Sequence, residues 1–376
     1  MKTLRDIQVL EGVNVLVRAD FNVPVQNGLV TDGFRIASTL PTIDFLRRKG
    51  ARIILISHLE AIDGGNGTLA PIADHLIKLG QPVRFIKEWK SAHEIIERLD
   101  NGHCVLLENV RLFEGEKKND PAFAAELASL ADIYINDAFS VSHRQHASIV
   151  GVPKLLPSYA GLQLEKEIAN LSRAFDPSHP FLFILGGAKF ETKLPLLEKF
   201  MKIADFVFVG GALANDLFKK KGYEIGQSLT SKGDIDLRRI ADSAKLLLPV
   251  DVMNQQQSIK AADSLDAADR IMDSGPKTVD LLHERINQAK FILWNGPLGL
   301  YEDGYRGPTL ELAKLLAAAT LRGALTIVGG GDTLAAIAAL GIEKDFTFIS
   351  TGGGAMLDFL AQGTLPGIEA LEYSVD

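Results

Sequence analysis

Cysteine is nearly absent from the 376-residue chain. Cys104 is the only one, so no internal disulfide framework is possible. It lies in the apolar run Cys104-Val105-Leu106-Leu107 and reads as a buried structural thiol. Long apolar runs are missing as well. None approaches the ~20 residues of a membrane span. The opening MKTLRDIQVLEG lacks the apolar core of a signal peptide. A soluble, cytoplasmic protein with no membrane partner is therefore expected. An excess of positive charge is absent too: the formal net charge is -7, which argues against general nucleic-acid binding. Any cations that serve an anionic ligand must be clustered locally. Two phosphate-binding signatures are also lacking. No GxxxxGK[ST] occurs, which excludes a Walker-type loop. No GxGxxG follows the first strand, which disfavours a nicotinamide dehydrogenase.

What the sequence does hold is a recurring pattern. In LTIVGGGDTLAA (325–336), an apolar strand runs into Gly329, Gly330 and Gly331, and Asp332-Thr333 opens an Ala- and Leu-rich helix. Such a junction presents bare backbone N–H groups at a helix N-terminus, where an anion is favoured. Asp332 adds a hard oxygen ligand suited to Mg²⁺. Taken alone, this stretch is as well explained by a tight turn with an Asp cap. The motif recurs, however, in FLFILGGAK (181–189), DFVFVGGALA (205–214), FILWNGPLG (291–299) and FTFISTGGGA (346–355). In an open parallel sheet such turns gather at the carboxyl edge of the strands, where ligands bind. Lys189 and Lys193, four residues apart, share a helix face beside the first of them.

The first ~150 residues alternate strand and helix, with a different set of strand ends. NVLVRAD (14–20) ends on charge, and Arg18, Asp20 and Asn22 fall on one face if the backbone stays extended. On spacing alone a surface ion pair explains them equally well. Arg35 sits in the first turn of a helix expected over 36–49, the wrong end for a cation by the helix-dipole rule. His58 closes ARIILISH, Arg111 follows HCVLLENV, and Arg144 lies in SVSHRQH. Five cationic or ionisable side chains at comparable edges predict a pocket for a small, highly charged anion. A single helix over 162–175, followed by the Pro-rich DPSHP, marks a boundary between two domains. Glu302 falls in a loop. The stretch 263–271 is polar and carries no clear pattern.

The ordered segments VLVRADFNVP, ENVR, NDAFSVSHRQHAS, FILGGAK, FILWNGPLG, IVGGGDT and ISTGGGA resemble the phosphoglycerate kinase family, and the likeness covers nearly the whole chain. The resemblance implies two Rossmann-like, doubly wound parallel-sheet domains joined by a helix, with a cleft between them that closes by hinge bending. It implies an N-terminal substrate domain (1–160), a connecting helix (161–175), a nucleotide domain (176–358) and a C-terminal segment (359–376) returning to the first domain. It implies 3-phosphoglycerate held by Arg18, Asp20, Asn22, Arg35, His58, Arg111 and Arg144. For the nucleotide it implies Lys193, Gly210, Gly211, Asn295, Pro297, Glu302, Gly331, Asp332 and Thr333, with Mg²⁺ on Asp332 and ATP or ADP as the nucleotide. The transferring phosphoryl group would meet Arg35, Lys189 and the N–H groups of Gly352, Gly353 and Gly354. A monomer with no nucleic-acid partner is expected. Where the family carries Gly-Arg-Pro after the strand-end histidine, this chain has Glu60-Ala61-Ile62. Two rival readings follow from that: a kinase of the same fold for another small anion, or a non-catalytic nucleotide-binding relative.

Overall fold

A computed structural model describes residues 1–61, 65, 67–188, 190–231 and 236–375, and of residues 190–192 the backbone only. The chain divides into two compact units. One comprises Met1–Ala169 with Gln362–Asp376, the other Asn170–Ala361.

The first unit begins with β1 (Asn14–Arg18), the short hairpin β2 (Val25–Gln26) and β3 (Leu29–Val30), and α1 (Phe34–Arg48). It continues with β4 (Arg52–Ile56), α2 (Ala70–Lys78), β5 (Val83–Ile86), α3 (Ala92–Glu97), β6 (Cys104–Leu107), α4 (Glu114–Lys118), α5 (Pro121–Ala128), β7 (Ile133–Asn136) and β8 (Ser158–Ala160). Six strands form one sheet in the order β5-β6-β4-β1-β7-β8, every pairing parallel. The central strands are buried nearly throughout, as expected of a parallel sheet with helices on both faces. Sheet order reverses beside β1. Its last residue, Arg18, pairs with Ile56 on one side and Asn136 on the other, so the ends of β4 and β7 flank it. Asp120 caps α5 by accepting from the N–H groups of Ala122 and Phe123. Gly33 is the cap residue of α1, and Asp32 beside it accepts from the Phe34 N–H at 2.9 Å.

Helix α6 (Leu162–Ser172) runs across the boundary at 169–170 and stops three residues short of the expected end. Its start is held by Asp137, whose Oδ1 accepts from the N–H groups of Gln163 (2.8 Å) and Leu164 (3.3 Å).

The second unit contains β9 (Phe181–Leu185), α7 (Phe190–Ile203), β10 (Phe206–Val209), α8 (Ala212–Lys220), α9 (Arg238–Ala241), β11 (Leu246–Leu247), β12 (Asp251–Asn254), β13 (Ile259–Ala261) and β14 (Ile271–Ser274). It ends with α10 (Pro276–Gln288), β15 (Phe291–Asn295), α11 (Gly307–Leu321), β16 (Leu325–Gly329), α12 (Gly331–Leu340), β17 (Phe348–Ile349) and α13 (Gly354–Gln362). The main sheet is parallel, in the order β11-β10-β9-β15-β16-β17. This is the doubly wound order, with its switch point between β9 and β15. The stretch 263–271, polar and unpatterned in the sequence, links β13 to β14 of an antiparallel three-stranded sheet, β13-β12-β14. Its pattern was hidden because polar pairing holds it: Lys260 bridges Asp266 and Asp269 at 2.7 and 2.8 Å. The last helix, α14 (Pro366–Glu372), packs on the first unit. There Gly367 donates to the Ser142 carbonyl at 2.8 Å, and a Cβ at Gly367 would lie 2.8 Å from the Ile149 side chain.

Burial holds the Asp137 carboxyl up to about 7, against hydrogen bonds that favour its ionised form. Its second oxygen is buried without a partner. The folded state therefore prefers the protonated acid relative to an unfolded carboxyl near ~4. The stability from this group is complete below pH ~4 and is lost as pH rises towards about 7. Asp137→Asn keeps a capping oxygen but cannot ionise. It is expected to flatten the dependence of melting temperature on pH across that window. An unchanged slope would show that Asp137 is already ionised there.

Candidate functional site

In the first unit, the strand-end cations gather around His58. Arg18 is only 1% exposed. Its Nε donates to Ser148 Oγ at 3.0 Å, and its Nη2 lies 3.0 Å from His58 Nδ1. Burial and the charges of Arg18, Arg111, Arg144 and Arg35 press His58 well below the ordinary histidine range, so the ring is neutral and accepts from Arg18. Burial also lowers the Arg18 guanidinium, opposed chiefly by Glu116. Glu116 is 0% exposed and accepts from both the N–H (2.9 Å) and the hydroxyl (2.6 Å) of Ser148. Sequence alone does not single out this acid, which stands in the charged run Glu114–Lys118.

Strand β1 stops at Arg18, so the expected extended face does not persist to Asn22. Asp20 and Asn22 reach the site by loop contacts instead. Asp20 accepts from Ser140 Oγ at 2.6 Å and pairs with Arg35 at 3.3 Å. Arg35 also donates to the Asn22 carbonyl at 3.3 Å, and Asn22 Oδ1 accepts from the Glu60 N–H at 2.9 Å. Arg111 is buried and forms an ion pair with Glu60. The Nε of Arg144 is buried without a partner. All the first-unit residues singled out in the sequence are thus brought together or coupled electrostatically. The Ala61 N–H donates to the Gly65 carbonyl at 2.8 Å. The rest of that loop includes Ile62, Asp63, Gly64 and Asn66, which lie outside the described residues.

In the second unit, the glycine turns are bonded to one another at the carboxyl ends of the strands. Gly186 donates to the Asn295 carbonyl (2.8 Å), Gly187 to Pro297 (2.9 Å), Gly211 to Leu298 (3.2 Å) and Gly296 to Thr333 Oγ1 (3.0 Å). Gly211 has φ +62°, and a Cβ there would lie 2.6 Å from the Gly187 nitrogen, so no other residue fits without moving the turn. Lys193 Nζ donates to the Gly186 carbonyl at 2.5 Å. Burial lowers its pKa to about 8, with Asp332 opposing, which places a cation and an acid at the same edge. Asp332 lies in the first turn of α12, as expected, and Gly354 begins α13. Glu302 is exposed in a one-turn 3-10 segment, Tyr301–Asp303. Lys189 lies outside the described residues. Among the described residues no group of three or more His, Cys, Asp or Glu could hold a metal ion. A single carboxylate at Asp332 instead fits Mg²⁺ held by one acid together with substrate phosphates.

The family model of phosphoglycerate kinase matches residues 4–363. The chain belongs to the phosphoglycerate kinase family. The phosphoglycerate kinase of Dictyoglomus turgidum is 42% identical over 393 residues, covering 99% of each sequence. That of Thermosipho africanus is 41% identical, covering 98% of this chain and 97% of the other. Among solved structures, phosphoglycerate kinase from Pyrococcus horikoshii matches with a TM-score of 0.87 at 31% identity, covering 99% of this chain and 98% of that one. The Coxiella burnetii enzyme matches with a TM-score of 0.83 at 34% identity, covering 98% of both. No described helix is long and apolar enough to cross a membrane.

The lowered pKa of Lys193 has a measurable consequence. Its charge is lost as pH rises through about 8, so affinity for MgADP is expected to fall above that pH. Lys193→Arg, which stays charged, should hold affinity level across the same range. A wild-type affinity independent of pH from 7 to 9.5 would remove Lys193 from the phosphate contacts.

Proposed function

We propose that the first unit holds 3-phosphoglycerate and the second holds the magnesium nucleotide in the phosphoglycerate kinase reaction. In that reaction a phosphoryl group passes reversibly between the acyl phosphate of 1,3-bisphosphoglycerate and ADP, giving 3-phosphoglycerate and ATP. The observation that carries this reading is the separation of chemistry. Side-chain cations converge in one unit around Arg18 and His58, whereas backbone turns with Lys193 and Asp332 converge in the other.

The acceptor's anionic groups would be held by Arg18, Arg35, Arg111 and Arg144, with Asp20 and Asn22 taking its hydroxyl. His58 fixes Arg18 and contributes a neutral nitrogen. Gly210 and Gly211 would lie against the adenine, Asn295 and Pro297 would shape the nucleotide turn, and Glu302 would take ribose hydroxyls. Lys193, Gly331 and Thr333 would face the phosphates. Asp332 would hold Mg²⁺, which when bound neutralises phosphate charge. The nucleophile in either direction is already an ionised oxygen, so no general base is needed. What the protein must supply is alignment and neutralisation of a loose, metaphosphate-like phosphoryl group. Arg35, Lys189 and the N–H groups of Gly352, Gly353 and Gly354 are assigned that task. The two bound ligands must then meet with water excluded. A monomer serves this scheme, since each subsite is built from one chain.

A rival acceptor is favoured by one observation, the pairing of Arg111 with Glu60 beside Ala61. A coupled assay with 3-phosphoglycerate and MgATP separates the readings. Turnover is expected, and its absence with both ligands bound would overturn the assigned reaction. Asp332→Asn should weaken MgADP binding while leaving 3-phosphoglycerate binding intact. Equal losses for the two ligands in calorimetry would count against Asp332 as the metal ligand. Lys189→Ala should lower kcat by roughly two to three orders of magnitude with little change in KM, as for loss of one strong electrostatic stabiliser. A near-normal kcat would remove Lys189 from the chemical step.

A further inference from the structure

Glu60 is an acid in a cluster otherwise built to attract anions. Its partner, Arg111, is 1% exposed, while Glu60 itself is 48% exposed. The cation is therefore fixed in the protein, and the acid reaches in from the surface. The backbone around Glu60 is anchored on both sides of the cluster. Asn22 Oδ1 accepts from the Glu60 N–H at 2.9 Å, and Asn109 Nδ2 donates to the Leu59 carbonyl at 2.8 Å. Only the side chain is left to swing. Beside it opens a cavity of about 570 Å³, lined among others by Val25, Leu59, Glu60, Ala61, Thr68 and Pro71, with room for a displaced carboxylate. The neighbouring residue, Ala61, carries no charge that could hold Glu60 away from Arg111.

We propose that Glu60 is an internal competitor for the anion site of the first unit. Its carboxylate rests on Arg111 when no acceptor is bound, and the acceptor's phosphate must displace it. This inference rests on the assignment of 3-phosphoglycerate to the first unit. The displacement costs every anion that needs Arg111 the same factor in affinity. A phosphate group carries about -1.5 to -2 at pH 7, so it gains more from the surrounding Arg18, Arg111 and Arg144 than a single carboxylate does and can displace it. Glu60 thus sets the affinity of the site, lowering it for the acceptor.

The test is calorimetry on the full chain with 3-phosphoglycerate as the probe. A half-exposed ion pair is worth at most about 1 kcal/mol, so Glu60→Gln should bind 3-phosphoglycerate more tightly, by up to about five-fold. The gain should shrink at high ionic strength, because the pair it removes is screened there. Glu60→Asp, which keeps the charge, should show less of the gain, and binding of MgADP should not change. A parallel variant, Arg35→Gln, reports on the acceptor assignment itself. If Arg35→Gln weakens 3-phosphoglycerate binding but Glu60→Gln leaves it unchanged or weaker, the competitor role is overturned and the assignment stands. If Arg35→Gln leaves binding unchanged, the assignment fails and the competitor role fails with it.

Discussion

The first unit depends on keeping one guanidinium charged out of water. Arg18 is 1% exposed, and an isolated buried charge of that kind would cost several kcal/mol. The fold meets the cost with a second buried charge rather than with solvent. Glu116 binds Ser148 through both oxygens, Ser148 accepts from Arg18, and Tyr134 donates to the Ser148 carbonyl at 2.6 Å. His58 completes the shell as a neutral acceptor. Removing Glu116 would strip Arg18 of its chief opposing charge, which ties the stability of the sheet's centre to the charge of the site. The remaining cations, Arg35, Arg111 and Arg144, are arranged around that fixed point.

The second unit meets a different constraint. Here the groups gathered at the strand ends are backbone, and backbone N–H groups can be aimed only by fixing the turns that carry them. The turns fix one another, Gly186 to Asn295 and Gly187 to Pro297 across the switch point between β9 and β15, and Gly296 to Thr333 on the β16 side. Contacts this close leave no space for side chains, which is why glycine recurs there. Trp294 seals the base, donating from Nε1 to the Gly296 carbonyl at 2.8 Å. Among the described residues, Lys193 and Asp332 bring charge to these turns. The two units thus present a cluster of charged side chains in one and a cluster of main-chain turns in the other, on sheets of related design.

Much of this was legible because parallel strands announce themselves. Runs such as Phe181–Leu185 and Phe291–Asn295 are apolar throughout and end in glycine, so the turns could be placed from residue type alone. Arg18, His58 and Arg111 could be placed for the same reason, as polar groups ending apolar runs. Residues whose position comes from loops escaped that logic. Asp20 and Asn22 reach the site through Arg35, Ser140 and Glu60 rather than through strand alternation. Glu116 escaped because its neighbours Glu114 and Lys118 are solvated, and a charged run gives no sign that one member is buried. The link between β13 and β14 escaped because ion pairs hold it, and the apolar residues that the small sheet buries, Val252, Ala262 and Leu265, are too scattered along the chain to give a period. Glu60 and Arg111 stand 51 positions apart in the chain, so their pairing leaves no local trace.

The division of ligands between the two units is the central claim, and amide hydrogen exchange tests it most directly. With 3-phosphoglycerate alone, added protection should fall on the segments around Arg18–Asn22, His58–Glu60, Arg111 and Arg144. With MgADP alone, it should fall on the turns at 186–187, 210–211, 295–298 and 330–333. If 3-phosphoglycerate protects the glycine turns, or MgADP protects the arginine cluster, the account is contradicted.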